Sequence, residues 1–479
     1  MSSPIHDEIE RDTAPDVARA FLALATDYLD RTRTGEGPVS TALDAGVLAG
    51  RFDELLPEAG RSVEEIIARI ERDILPDCNR LYHPMYMGHQ VSPPLPAAIW
   101  AEPLVSALNQ SVAVWEMSPV GTVIESRVIR WLTDLVGWDA RAGGTLTTGG
   151  TEATFTALLA ARAVALPNAW EQGTGGDPPV LVCGEHAHYA VMRAAGELGL
   201  GMRNVVMVPS ANYGMTGASL RACLDDLAHS GRQVMAVVAT AGSTATGTFD
   251  ELTTIGPLCA DRGVWLHVDG AHGASALMSG THRSRLAGLN HARSIAWDPH
   301  KMMLMPLATG ALLVREERDL DRAFSQRAPY LFHPQGTDRV IDQGPRSFLC
   351  SRRADALKLW IAFQRYGASG FGAVYDALCA RCHDLYEMLN RRDDFETLHE
   401  PECNILCFRY LGDGAMSPEQ LDHLNRELRE RYNRSGAGWI TTTLLNGRRV
   451  LRVTIMNPRT EVRHLNALID GLVEIGREV

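Results

Sequence analysis

Clustered positive charge is missing from this chain. Its 46 Lys and Arg are outnumbered by 58 Asp and Glu, giving a formal charge of −12. Phosphate neutralisation along a nucleic acid needs grouped Lys and Arg, so this balance argues against a nucleic-acid partner. Long apolar runs are missing too. None reaches the roughly 18 residues of a spanning helix, so no membrane partner is expected. The first residues, MSSPIHDEIERDTAPD, lack the basic start and apolar run of a secretory signal. Nine cysteines, scattered from Cys78 to Cys407, are an odd number in a long chain. That is no disulfide framework, and a cytoplasmic protein with reduced thiols is expected.

One cysteine pattern invites a stronger reading. Cys379-Ala-Arg-Cys382-His383 has the C-x-x-C-H form of covalent haem attachment. It lies within GFGAVYDALCARCHDLYEMLNRR, where Val374, Leu378, Cys382, Leu385 and Leu389 follow a helical stripe. A buried helix face is therefore expected, not a haem site. No metal site is expected either.

What is present is ordinary globular material: 45% apolar and 22% charged residues over 479 positions. That suits a large core, and the length suggests about three units. Residues 1–75 read as a helical arm, with Val17, Phe21, Leu24 and Leu29 at helical spacing and a capping box at Ser62-Val-Glu-Glu65. Residues 76–365 read as a large α/β domain. Its continuous apolar runs, VLVCG, NVVMV, VMAVVAT, VWLHVD, SIAW and GALLV, alternate with helical stretches such as Glu152–Val164 and Ala218–His229. Strands buried on both faces in a mainly parallel sheet look like this. Residues 366–479 read as a small α+β domain, helical to Arg392 and then carrying ILCFRY, GWITTT and RVLRVTI.

Ligands of open α/β sheets sit outside the carboxyl ends of the strands. Those ends carry His188, Thr244, Asp269 and Lys301. Gly149-Gly150-Thr151 opens a helix and offers free N–H groups and a hydroxyl to an anion, without the Gly-Lys-Ser/Thr ending of a nucleotide loop. Lys301, in the apolar stretch SIAWDPHKMML, suits a snorkelling lysine or a Schiff-base amine. Asp269 ends an apolar strand, so it needs a cationic or hydrogen-bonded partner. An anion cradle, an amine and a carboxylate for a pyridinium nitrogen together point to pyridoxal phosphate.

Those residues stand in recognisable company. HPMYMGH, ALNQSVAVWEMSP, TTGGTEAT, HAHYAV, ATAGSTATGTFD, HVDGAH, DPHKMM and SRRADALKLW follow one another from about His83 to Gly370. In order and spacing the sequence resembles the group II pyridoxal-phosphate-dependent amino-acid decarboxylases, which include glutamate, cysteine-sulfinate and aromatic amino-acid decarboxylases. The resemblance implies a fold-type-I α/β architecture, a large mainly parallel sheet of the seven-stranded type, and a homodimer with shared active sites. It implies decarboxylation of an L-amino acid to an amine and CO₂, through an external aldimine and a quinonoid. It assigns Lys301 to the Schiff base, Asp269 to the pyridine nitrogen, His188 to one ring face and Ala271 to the other. Gly150, Thr151 and His300 would hold the phosphate, with Thr244 near the ring substituents. Arg352 would meet a substrate carboxylate, with His89 and Gln90 in the stretch that lines the pocket. Tyr330, in APYLF, matches the loop tyrosine that helps protonate Cα and reaches across the dimer.

Departures from the pattern blur the substrate. His272 stands where an aromatic is common, Arg293 where a small polar residue is common, and Ala190 follows Tyr189 where many acidic-substrate members have serine. An acidic substrate is favoured slightly over an aromatic one, with diaminobutyrate also open. Two alternatives remain at this point. Another fold-type-I enzyme (aldehyde synthase, lyase or aminotransferase) would yield an aldehyde or keto acid. A non-catalytic binding relative would be free to lose Lys301.

Overall fold

Pro15 opens the helix Pro15–Arg33 in its first turn, where a missing N–H breaks no hydrogen bond. The computed structural model describes residues 4–41, 43–324, 342–412, 414 and 416–478. Ser62 Oγ accepts from Glu65 N at 3.2 Å, and Glu65 Oε2 accepts from Ser62 N at 2.9 Å, which is the expected capping box. The helix it starts, Val63–Arg69, continues into a π-helical turn at Ile70–Ile74.

Two compact units form, and they do not follow the three consecutive segments expected. One gathers residues 1–89, 384–398 and 407–479; the other holds 90–383 and 399–406. Long-range hydrogen bonds explain the difference. Met87 N donates to Trp439 O, and Thr454 N to Met87 O, both at 2.9 Å, so the chain around Met87 belongs with the C-terminal residues. Residues 399–406 belong with the larger unit, where Phe249 N donates to Glu402 Oε2 at 3.0 Å. Composition changes near residues 75 and 366, but these partners do not.

The larger unit contains β1 (Gly143–Thr147), β2 (Val180–Gly184), β3 (Val205–Val208), β4 (Val234–Thr240), β5 (Trp265–Asp269), β6 (Ser294–Trp297) and β7 (Gly310–Val314). They form one sheet in the order β1-β7-β6-β5-β4-β2-β3. β7 runs antiparallel to both neighbours, and the remaining pairs are parallel. β2, β5, β6 and β7 are buried along their whole length, which is why they read as unbroken apolar runs. β1, GGTLT, has no such run. A Cβ at Gly144 would fall 2.3 Å from Leu312 O, so close strand approach requires glycine there and removes the apolar signal.

Residues of the smaller unit carry most of a second sheet: β8 (Phe395–Thr397), β9 (Ile405–Tyr410), β10 (Thr441–Leu445) and β11 (Arg448–Thr454), in the order β10-β11-β9-β8. Cys379 and Cys382 are buried in the helix Ala356–Asn390, which is interrupted at Gly367 (φ 64°, ψ 170°). Their haem-like spacing is a core stripe. Among the described residues, no helix is long and apolar enough to cross a membrane.

Candidate active site

The parallel register sets the site. Thr240 pairs with Asp269, and Asp269 with Ala296, so the carboxyl ends of β4, β5 and β6 lie side by side. A cavity of about 390 Å³ is lined by residues at these ends and by the turn after β1 that starts the helix Gly150–Ala165. Gly150, Thr151, His188, Thr244, Asp269, Ala271, His300 and Lys301 all line it. These residues span positions 150 to 301, about a third of the sequence, and the sheet brings them into one wall.

Each polar group there has a local reason for its position. Asp269 Oδ1 accepts from Ala271 N at 3.1 Å. Burial pushes this carboxyl up from its ordinary value, against the pull of the nearby Lys301 ammonium. His188 Nδ1 accepts from Ala190 N at 3.3 Å, which leaves the neutral ring's proton on Nε2. Burial holds His188 below its usual pKa, and the charge of Asp269 offsets part of that effect. The neutral form is therefore favoured near pH 7. At the glycine turn, a Cβ on Gly150 would fall 2.8 Å from the Ala271 Cβ. Glycine at this position lets the first turn of the helix Gly150–Ala165 approach Ala271 closely, beside the cavity.

Three further groups in the cavity escape the sequence reading. Asp298 Oδ2 lies 3.3 Å from Lys301 Nζ and 3.4 Å from His300 Nε2. Burial opposes its ionisation, but Lys301 and His300 outweigh burial, and the net shift is downward. His300 is in turn fixed by Thr309 N, which donates to its Nδ1 at 3.0 Å. The spacing Asp298-Pro-His-Lys301 is the signal that could have found this pair. Thr240 Oγ1 is buried with no hydrogen-bond partner among the described residues. Glu152 Oε2 accepts from Thr148 N at 2.8 Å and closes the turn before the helix.

The remaining expected site residues are Arg352, His89, Gln90 and Tyr330. Arg352 is 7% exposed and makes a bidentate pair with Glu125, at 2.9 and 2.8 Å. It is not among the cavity's lining residues. The guanidinium expected to meet a substrate carboxylate is here paired with a buried carboxylate. Gln90 does not line the cavity either, and His89 belongs to the smaller unit. Tyr330 lies outside the described residues. The departures have structural partners. Arg293 pairs with Asp319 through two contacts of 2.9 Å, and His272 Nε2 donates to Asn404 Oδ1 at 2.7 Å.

These residues fit pyridoxal phosphate. The glycine turn leaves room and N–H donors for a phosphate, Asp269 is buried at the end of β5, and Lys301 supplies an amine. The sheet and this donor set define an enzyme of the pyridoxal-phosphate-dependent, fold-type-I class.

The chain belongs to the pyridoxal-dependent decarboxylase family, whose conserved domain matches residues 46–411. It is 35% identical to the L-2,4-diaminobutyrate decarboxylase of Rhizobium meliloti (strain 1021), over 90% of this chain and 86% of that one. It is 30% identical to the acidic amino acid decarboxylase GADL1 of Mus musculus, over 89% of this chain and 80% of that one. The crystal structure of mouse CSAD in apo form superposes with a TM-score of 0.91 at 27% identity, covering 97% of this chain and 99% of that one. The protein is a pyridoxal-phosphate-dependent amino-acid decarboxylase.

Proposed function

We propose that this decarboxylase acts on L-2,4-diaminobutyrate, with Lys301, Asp269, His188 and Tyr330 as its catalytic residues. The observation that carries the substrate is the 35% identity to a diaminobutyrate decarboxylase over 90% of the chain. The Arg352–Glu125 pair supports it, because it occupies the guanidinium that an acidic substrate would need. An acidic amino acid is the second reading, favoured by the 30% identity to the mouse acidic amino acid decarboxylase.

Bound pyridoxal phosphate supplies an aldehyde for amines and a protonated ring that accepts the electrons left on Cα when CO₂ departs. The chain's residues do the rest. Lys301 would hold the cofactor through its amine, and Asp269 would hold a proton on its ring nitrogen. Gly150, Thr151 and His300 would hold the phosphate, His188 and Ala271 the ring faces, and Thr244 the ring substituents. His188, with its proton on Nε2, or Tyr330 delivers a proton to Cα after CO₂ leaves. The active form is a homodimer, supported by apolar side chains that the described residues leave exposed, such as Leu55 at 93% and Leu56 at 89%.

The test is CO₂ release from the purified protein with pyridoxal phosphate. L-2,4-diaminobutyrate is compared with glutamate, aspartate, cysteine sulfinate and the aromatic amino acids. The expected outcome is a kcat/KM for diaminobutyrate at least about tenfold above every other substrate, or ~1.4 kcal/mol of transition-state preference. A higher kcat/KM for any acidic substrate establishes the second reading instead.

A further inference from the structure

The turn after β4 hides a chain of hydroxyls beneath the cavity wall. Ser243, Thr246 and Thr248 are buried, at 2%, 0% and 6% exposure. Ser243 Oγ lies 2.9 Å from Thr246 Oγ1, and Thr246 Oγ1 lies 2.8 Å from Thr248 Oγ1. Thr246 N also donates to Ser243 Oγ at 3.3 Å. Three hydroxyls held out of water thus bond to one another, with Thr246 as the middle link. A fourth, on Thr244, belongs to a half-buried residue that lines the cavity together with Gly242.

Ser243, the neighbour of Thr244, is held at three atoms. Its N–H donates to Thr248 O at 2.9 Å, its carbonyl accepts from Gly247 N at 2.8 Å, and its hydroxyl meets Thr246. The base of the turn is fixed as well. Ala241 N donates to Asp269 O at 2.8 Å, and Asp250 N to Thr240 O at 2.9 Å. Gly242, at φ 83°, sits where a Cβ would fall 3.0 Å from Gly273 N. Gly247, at φ 75°, sits where one would fall 2.4 Å from Cys403 Sγ. The turn is therefore packed between the stretch after β5 and residues 399–406.

We propose that the chain Ser243–Thr246–Thr248 is a positioning device: it fixes the turn so that Thr244 meets bound pyridoxal phosphate, and it thereby sets the affinity for the cofactor. This rests on the placement of Thr244 near the ring substituents. Ser243, Thr246 and Thr248 are not among the lining residues, so they act through Thr244. Apolar side chains would fill the same space without choosing a geometry. A hydrogen bond has a preferred length and direction, and two in series hold Ser243 in one place. Removing the middle hydroxyl leaves Ser243 and Thr248 without that partner, and the turn relaxes to satisfy them. Any shift of Ser243 is passed to the next residue, Thr244.

The experiment titrates pyridoxal phosphate onto the cofactor-free full-length protein and follows the visible band. It gives a Kd for the parent chain, Thr246→Val, Thr244→Ala and the double variant. Thr246→Val keeps the side chain's shape and is expected to weaken binding about fivefold, the worth of one hydrogen bond. In the Thr244→Ala background the same change is expected to alter Kd by less than about twofold, because the residue being positioned is gone. Thr246→Ser keeps the hydroxyl and is expected to restore the parent Kd. A parent-like Kd for Thr246→Val overturns the proposal. Equal weakening in both backgrounds, or a serine variant as weak as the valine one, also overturns it, since either marks a general loss of packing. Should Thr246→Val fail to fold, Ser243→Ala replaces it in the same cycle and is judged by the same outcomes. A Thr244→Ala protein that binds the cofactor as tightly as the parent overturns instead the placement of Thr244 beneath the proposal.

Discussion

At the residue scale, the proposed chemistry rests on an amine and a carboxylate that are costly to place where they are. Lys301 is compensated by Asp298 at 3.3 Å, and Asp269 by the Ala271 N–H and the charge of Lys301. Lys301→Ala is expected to abolish decarboxylation and the visible band of bound cofactor; a spectrum taken after dialysis checks this. Asp269→Asn should keep the cofactor bound but cut kcat by about 10²-fold or more, because a neutral amide cannot hold the ring nitrogen's proton. Single-turnover decarboxylation measures that loss, and an unchanged kcat removes Asp269 from the mechanism. That Lys301 and Asp269 line one cavity was legible in the sequence because both follow apolar strands at the carboxyl edge of the sheet. Asp298 was not, because an aspartate before a proline reads as an ordinary turn residue. The pairing of Arg352 was not legible because its partner Glu125 lies 227 positions away, and a single sequence does not pair distant charges.

At the element scale, two buried polar groups make the sheet's stability testable. Glu125 joins three pieces: it takes both arms of Arg352 and accepts from Leu146 N in β1 at 3.1 Å. Arg352→Met leaves that carboxylate buried and unpaired, so it should cost about 3–5 kcal/mol of stability. Thermal unfolding of the cofactor-loaded protein would show it. A raised KM at unchanged stability would restore Arg352 to the substrate pocket. His267, inside β5, is wholly buried, and burial pushes its pKa down to about 3. The unfolded chain binds a proton at this residue near pH 6.5 and the folded chain does not, so stability falls as pH drops from about 6.5 to 3. The slope is about 1.4 kcal/mol per pH unit for this one group. Denaturant unfolding at several pH values should therefore show His267→Gln losing less stability on acidification than the parent chain. Equal slopes would mean that His267 takes a proton in the folded state. The strands β2 and β4 to β7 were visible as apolar runs, since both faces are covered. β1 was hidden because close packing against Leu312 demands glycine.

At the scale of the whole molecule, exposed apolar surface calls for a partner. Leu55 and Leu56 are almost fully exposed, and in the larger unit Trp100, Leu104 and Leu108 form a stripe at helical spacing on Pro96–Leu108. A second copy of the chain is the proposed cover. Light scattering should give twice the 52.4 kDa chain mass, and Leu55→Glu with Leu56→Glu should shift the population towards the single-chain mass. A parent chain that runs at the single mass refutes the dimer. The alternation of buried strands and helices, and the amine, carboxylate and glycine turn at the strand ends, were set by the sequence alone, because periodicity and residue chemistry are local properties. Which charges neutralise one another, where residues 76–89 and 399–406 belong, and which carboxylate meets Lys301 were decided only by the tertiary structure. Those outcomes depend on distances between residues far apart in the chain. Burial then makes each such pairing too costly to leave unmade.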